Sequence, residues 1–338
     1  MKLNDSGNPS QGSKVTRRQF LYQAGLGAAG AGLLAGSGWS DVVQNAATEP
    51  LPTRVLGRTG EEVSILGLGS APVGEGPPDL DEAIRVFSAA MDRGVNYIDT
   101  ARIYGNAEEA LGHLIPGRRD ELFVATKCWA ETAAQAEESL DESLRLLKID
   151  HVDLCHIHHI GGKDLDIVLA EDGVLDYLLR QKEAGRIRFI GLSGHARSSH
   201  FLRMIETDHI DVVMTVLNHA DRNIYEFESE VLPACIERNV GVVAMKVFAG
   251  IKGGFPNHRS AYVGCATETE FLPQALAYAL DLPGVASAVV GPYTVEEAIH
   301  NVEMARAYES LSESDRAAIL AYGEQLAEEL GPRYGEVT

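Results

Sequence analysis

Eight short apolar, β-branched runs, each followed by a longer amphipathic stretch, predict an α/β chain closed into a (β/α)8 TIM barrel. The eight units occupy about 250 residues, the usual size of such a barrel. A doubly wound dinucleotide fold would instead open with G-x-G-x-x-G after its first strand. Here Gly67-Leu68-Gly69-Ser70-Ala71-Pro72 fails at the third glycine, and Pro72 argues against a helix starting there.

Taken in order, residues 54–63 read as a β-hairpin around Thr59-Gly60. Strand candidates follow at 64–70, 96–101, 122–127, 151–158, 187–193, 212–218, 240–247 and 286–291. Helical patterns separate them, for example over 81–93, 134–147, 173–184 and 228–238. In 134–147, Leu140, Leu144, Leu146 and Leu147 recur near the 3.6 period with charges between, as suits a helix lying on a sheet. Beyond the eighth unit, 312–330 reads as a C-terminal helix opened by Ser312, with Asp315 three residues on. No linker or low-complexity tract interrupts 49–338, which predicts one barrel domain there.

Of the 338 residues, 45% are hydrophobic and 23% charged, a globular balance that excludes collagen-like and disordered chains. Lys and Arg number 29 against 49 Asp and Glu, a formal charge of −20. Such a chain repels phosphate backbones, so no nucleic-acid partner is expected. No C-x-x-C occurs, which removes clustered-cysteine iron–sulfur and zinc sites. Cys128 and Cys155 fall in or beside strand runs, and with Cys235 and Cys265 are expected as free thiols.

Residues 1–48 read as a targeting segment and polar spacer. Thr16-Arg17-Arg18-Gln19-Phe20-Leu21 precedes a Gly/Ala-rich apolar stretch to about Trp39 and resembles a twin-arginine (Tat) export signal. The Tat machinery is then a partner and the destination periplasmic or cell-envelope. Cleavage after Ala47 is one outcome and an uncleaved N-terminal anchor another; without a Cys in the segment no lipid anchor is expected. The alternative is an ordinary amphipathic helix.

Functional groups of such barrels gather at the C-terminal strand ends. There the chain presents Asp99 and Tyr104 after the second strand, Lys127 after the third and His158 after the fourth. A phenol is a poor acid at neutral pH. An adjacent ammonium, held by a carboxylate, lowers its pKa, and a histidine orients a carbonyl oxygen. The set suits proton delivery to a carbonyl while hydride reaches its carbon. Taken singly, Asp99 reads equally as a helix cap and Tyr104 as a core aromatic.

These residues sit in runs that resemble the aldo-keto reductase family from Leu56 to Asn301. The runs are Tyr97-Ile98-Asp99-Thr100-Ala101-Arg102-Ile103-Tyr104-Gly105, Glu108-Glu109-Ala110-Leu111-Gly112, Ala125-Thr126-Lys127, Val152-Asp153-Leu154-Cys155-His156-Ile157-His158, and Gly185 to Ser193. The resemblance implies an NAD(P)-dependent oxidoreductase interconverting an aldehyde or ketone and its alcohol. Tyr104 would be the general acid/base, Lys127 and Asp99 its tuning pair, and His158 the orienting group. NADP or NAD would be the cofactor, a small carbonyl or sugar-like compound the substrate, and a monomer the default.

By the same resemblance Ser193, Gly194, Asn218, Lys246, Gly291, Thr294, Glu297 and Asn301 fall at cofactor-binding positions. Several depart from the family pattern. Ser193-Gly194-His195 replaces Ser-Asn, Met214 replaces a Gln, and Lys246 stands where an aromatic stacks on nicotinamide. Tyr293 replaces an Arg and Glu297 a Gln, which weakens the expected preference for a 2′-phosphate. Specificity would come from mouth loops 161–171, 220–227 and 250–269, the last carrying Phe255, His258, Arg259 and Tyr262.

Two other readings stay open. His156, His158, His159, His195 and His219, with Asp99, are candidates to line the mouth as metal ligands of a TIM-barrel hydrolase. That reading leaves Tyr104 and Lys127 without a task. The other is a nucleotide-binding partner protein without turnover.

Overall fold

The structure, a computed structural model, describes residues 50–76, 78–251 and 264–338. The Tat-like segment 1–48, and Phe255, His258, Arg259 and Tyr262, lie outside the described residues. Among the described residues no helix is long and apolar enough to cross a membrane.

Strands β1 (Thr53–Val55) and β2 (Glu62–Ser64) form the antiparallel hairpin, turned by Gly57–Thr59 with Gly60 at φ 73°. Its fully buried Leu56 and Val63 plug one end of the barrel. The barrel strands are β3 (Leu66–Gly69), β4 (Tyr97–Asp99), β5 (Phe123–Cys128), β6 (Val152–Ile157), β7 (Ile187–Gly194), β8 (Val212–Val216), β9 (Gly241–Met245) and β10 (Val285–Val290). They close in the order β10-β3-β4-β5-β6-β7-β8-β9, every pair parallel. All eight predicted strands are present.

The alternation of strand side chains places the site. Tyr97, Phe123 and Phe189 face inward and stack, with centroids 5.5 Å and 6.1 Å apart, over Leu154, Val212 and Val243. The interior is therefore a packed core, not a pore. Two residues above Tyr97, the same face of β4 carries Asp99; two above Ala125, the same face of β5 carries Lys127. What buries the lower rings thus delivers the ionisable groups to the upper end.

The helix Ala133–Leu147 opens with a capping box between Thr132 and Gln135 and buries Leu140, Leu144 and Leu147. Ser312 caps the helix Glu313–Leu330 through Asp315 N.

Two predictions need correction. A helix does start at Pro72: Ala71–Glu75 is helical, with Pro72 in its first turn, where a missing N–H costs nothing. The helix predicted over 228–238 opens instead as a π-turn, Phe227–Val231, and becomes α-helical at Leu232–Glu237. Pro233 cannot donate to the ladder, and the wider turn precedes it.

Beyond the last helix the chain folds back as a tail. Arg333 pairs with buried Asp221 through both nitrogens, at 2.8 and 2.9 Å, and Arg197 pairs with Glu336 at 2.6 Å. The four cysteines are buried free thiols, Cys128 and Cys155 having sulfurs 3.3 Å apart.

Candidate functional site

Lys127 and Asp99 meet at 2.6 Å with both side chains almost fully buried, and Lys127 also donates to the Thr100 carbonyl at 2.8 Å. A buried ammonium requires such partners. Burial pulls Lys127 down, but Asp99 and Tyr104 outweigh it and hold the group above the ordinary lysine range. On Asp99 burial pushes upward and Lys127 pulls back. At 2.6 Å the ion pair is the state that satisfies both.

Tyr104 lies over this pair, its ring centroid 4.6 Å from Lys127 Nζ. The turn that carries it is set by backbone contact: Gly105 takes φ 49°, and a Cβ there would lie 2.0 Å from Gly74 O. Only glycine fits. Burial raises the Tyr104 hydroxyl, Lys127 lowers it and Asp99 raises it again, and the net direction is up. The expected lowering is overturned because desolvation outweighs the ammonium. The phenol therefore keeps its proton at neutral pH.

His158 follows β6 and packs edge-on to Tyr104, centroids 5.8 Å apart at 86°, and to Trp129 at 5.2 Å. Burial first, then Lys127, holds its imidazole well below the ordinary histidine range, so it is neutral. The structure thus brings Asp99, Lys127, Tyr104 and His158 into one cluster.

An open cleft of about 110 Å³ lies beside Tyr104 and Asp99, lined by Met214, Met245, Val289, Lys246, Phe248 and Gly291. Of the eight predicted cofactor positions, Lys246 and Gly291 line it directly. Ser193 is buried beside Met214 in register, its hydroxyl without a hydrogen-bond partner. At Gly194 a Cβ would sit 3.0 Å from the Phe201 ring, a close contact. The Asn218 amide donates to Asp221 (2.7 Å) and the Lys246 carbonyl (2.9 Å) and accepts from Ala220 N (3.0 Å) and Asp221 N (2.8 Å). Its hydrogen-bonding capacity is used within the fold, where it fixes the loop at Lys246, itself at φ 57°. Thr294 caps the helix Val295–Arg306, and the buried Glu297 carboxylate accepts Tyr293 N–H at 2.8 Å. Asn301 is buried on that same helix.

Of the five candidate histidines, His158 and His159 both pack on Trp129 and His195 lies 5.9 Å from His159. His156 points into the barrel, held by the Leu192 carbonyl at 3.0 Å, with burial and Lys127 lowering it to about 3. His219 stacks on Tyr322 at 5.6 Å, and burial lowers it to about 4. Among the described residues no three His, Cys, Asp or Glu side chains converge as a metal site.

Sequence reasoning missed several groups. Glu75, on the short helix, is held above the ordinary carboxylate range by burial, with Lys246 and then Lys127 pulling it back. Trp129 stands 49% exposed beside His158, stacked on His159 at 5.5 Å. Tyr334 approaches His195 at 5.2 Å. The position of Trp129 two residues after Lys127 was a usable signal, since it too follows a strand end.

Fold and cluster together define a (β/α)8-barrel enzyme equipped for proton transfer next to an open, largely apolar cleft. Residues 65–322 match the model of the aldo/keto reductase family. The chain belongs to that family and is an oxidoreductase that interconverts carbonyl compounds and alcohols. It is 29% identical over 290 residues to L-galactose dehydrogenase of Arabidopsis thaliana, covering 76% of this chain and 89% of that protein. It is 30% identical to D-threo-aldose 1-dehydrogenase of a Pseudomonas species, covering 56% and 67%. A solved aldo-keto reductase of Klebsiella pneumoniae in complex with NADPH superposes with a TM-score of 0.64 at 22% identity, covering 80% of this chain and 94% of that one.

Proposed function

We propose that the protein oxidises or reduces a small sugar-like substrate with NADP or NAD, Tyr104 serving as general acid/base, and that it works in the periplasm or cell envelope after Tat export. The observation that carries the chemistry is the Asp99–Lys127–Tyr104 chain beside the cleft. The export reading rests on Thr16-Arg17-Arg18-Gln19-Phe20-Leu21.

The cleft suits a nicotinamide nucleotide: an apolar floor of Met214 and Met245, the buried unpartnered Ser193 hydroxyl at its side, and a capped helix N-terminus at Thr294. Ser193, Lys246 and Gly291 would hold the nicotinamide end and Thr294 the phosphate end. When bound, that group supplies hydride to a carbonyl carbon or accepts it from an alcohol. The chain's own residues handle the proton. Neutral His158 orients the substrate oxygen toward the Tyr104 hydroxyl. In reduction Tyr104 gives its proton to that oxygen, and the Lys127 ammonium stabilises the phenolate left behind. Asp99 keeps Lys127 charged throughout. Oxidation reverses these steps. A sugar-like substrate is supported by the two aldose dehydrogenases among the relatives.

The test is a fluorescence titration of the purified full chain with NADPH and NADH, followed by turnover of aldoses. Tyr104→Phe is expected to lower turnover by about 10²–10⁴-fold with nucleotide binding intact. Binding without turnover in the unaltered protein would instead establish the non-catalytic partner reading.

A further inference from the structure

Behind the barrel wall a buried carboxylate touches a neighbour in sequence of each half of the proton-transfer cluster. Glu108, 1% exposed, accepts the Thr126 hydroxyl at 2.7 Å on one oxygen and pairs with Arg102 at 2.5 Å on the other. Thr126 adjoins Lys127 on β5 and, by strand alternation, faces outward where Lys127 faces in. Arg102 precedes Tyr104 by two residues and also donates to the Gly105 carbonyl at 3.4 Å. We propose that Glu108 is a positioning residue that sets the distance between Tyr104 and Lys127, bracketing the tyrosine turn to the lysine strand from outside the barrel.

The geometry favours this over simple filling of space. A carboxyl so buried is costly unless every partner is specific. Burial raises Glu108, while Thr126, Ser143 and Arg102 counter it, and the net direction is up. An apolar side chain would fill the volume without joining the two elements. Within the turn the amides bond locally, Tyr104 N to Ala101 O at 3.0 Å and Ala107 N to Tyr104 O at 2.9 Å. The Gly74 backbone packs against one side of it, and its entry is held to β5 by Thr100 N to Ala125 O at 2.9 Å, so Glu108 adds the side-chain tie from the outer side.

The inference rests on the proposed function, and the experiment separates the two. Glu108→Ala and Thr126→Val each cut half or all of the bracket; Thr126→Ser restores the hydroxyl. Expected is a loss of kcat of about 10- to 100-fold, from misplacement of the acid. KM and nucleotide Kd should stay within about threefold, because binding groups are untouched. As Tyr104 leaves Lys127 it loses the pull that lowers its pKa, so the alkaline rise of the oxidation rate moves to higher pH. Thr126→Ser should recover kcat and the profile. In the free protein, amide exchange over 101–107 should quicken in Glu108→Ala and Thr126→Val alone. Should Glu108→Ala fail to fold, the Thr126 pair carries the test. Unchanged kcat, pH profile and exchange alongside a lower Tm would overturn the proposal. Absent nucleotide-dependent turnover in the unaltered protein would sink the proposed function, while the exchange result still decides the bracket.

Discussion

Replacing Asp99 by Asn keeps the shape and an acceptor beside Lys127 but removes the charge. At the 2.6 Å contact, and with an effective dielectric of about 20, that charge is worth about 6 kcal/mol to the ammonium. Lys127, now held above the ordinary lysine range by Asp99 and Tyr104, would shift downward, because the burial that opposes its charge remains. The variant should therefore regain its ammonium, and with it stabilised Tyr104, as pH falls. We expect turnover in the reductive direction to drop by about 10²-fold on the alkaline side of neutrality and to recover substantially as the pH falls. The unaltered protein should be nearly flat across that window, since Lys127 stays charged throughout. The assay is a kcat profile at saturating nucleotide, with nucleotide Kd and circular dichroism confirming an intact cleft and fold. A flat Asp99→Asn profile at the unaltered rate would refute the claim that Asp99 acts by holding Lys127 charged.

Two further outcomes follow from buried groups. His156 is depressed to about 3, against an ordinary value of 6.5, so its stabilising contribution is present above about pH 6.5 and is lost as pH falls toward 3, where only the unfolded chain takes up the proton. In His156→Leu the decline of the urea midpoint between about pH 6.5 and 4 should be shallower by up to one proton; an unchanged slope would show that His156 is not buried neutral. Arg333→Met removes the bidentate partner of Asp221 and a donor to the Ala249 carbonyl at 3.0 Å, loosening the 246–250 loop along the cleft. Nucleotide Kd should weaken by about tenfold with kcat at saturation retained, and an unaltered Kd would show that the tail does not support the cleft.

How far the sequence discloses the site depends on whether a residue's role is local. The strands are legible because barrel strands, buried on both faces, read as apolar runs bounded by turn residues. Asp99, Lys127 and His158 are legible for a related reason: each is an ionisable group at the end of such a run, where an apolar residue would otherwise continue the pattern. Glu75 is not. Its helix, Ala71–Glu75, is too short to show a period, and Pro72 disguises its start. Arg333 is invisible on different grounds, since its partner Asp221 lies 112 residues away and neither neighbourhood has a pattern that announces the other.

Family position is equally blind to competing local demands. Gly194 and Asn218 stand where cofactor ligands are expected, yet a Cβ at 194 would press on the Phe201 ring and the 218–221 turn, with the Lys246 carbonyl, engages the Asn218 amide. The substitution of Ser-Asn by Ser193-Gly194 and the full engagement of Asn218 act in the same direction, withdrawing amide donors from the cleft's rim. Among the described residues, polar groups at or beside the cleft include Asp99, Tyr104, Lys246 and the Ser193 hydroxyl, over a floor of two methionines. The proton-transfer cluster, by contrast, is tied by contacts of 2.6 and 2.8 Å to backbone and to itself. Nucleotide recognition is therefore where this chain should differ most from its relatives, and proton transfer where it should differ least.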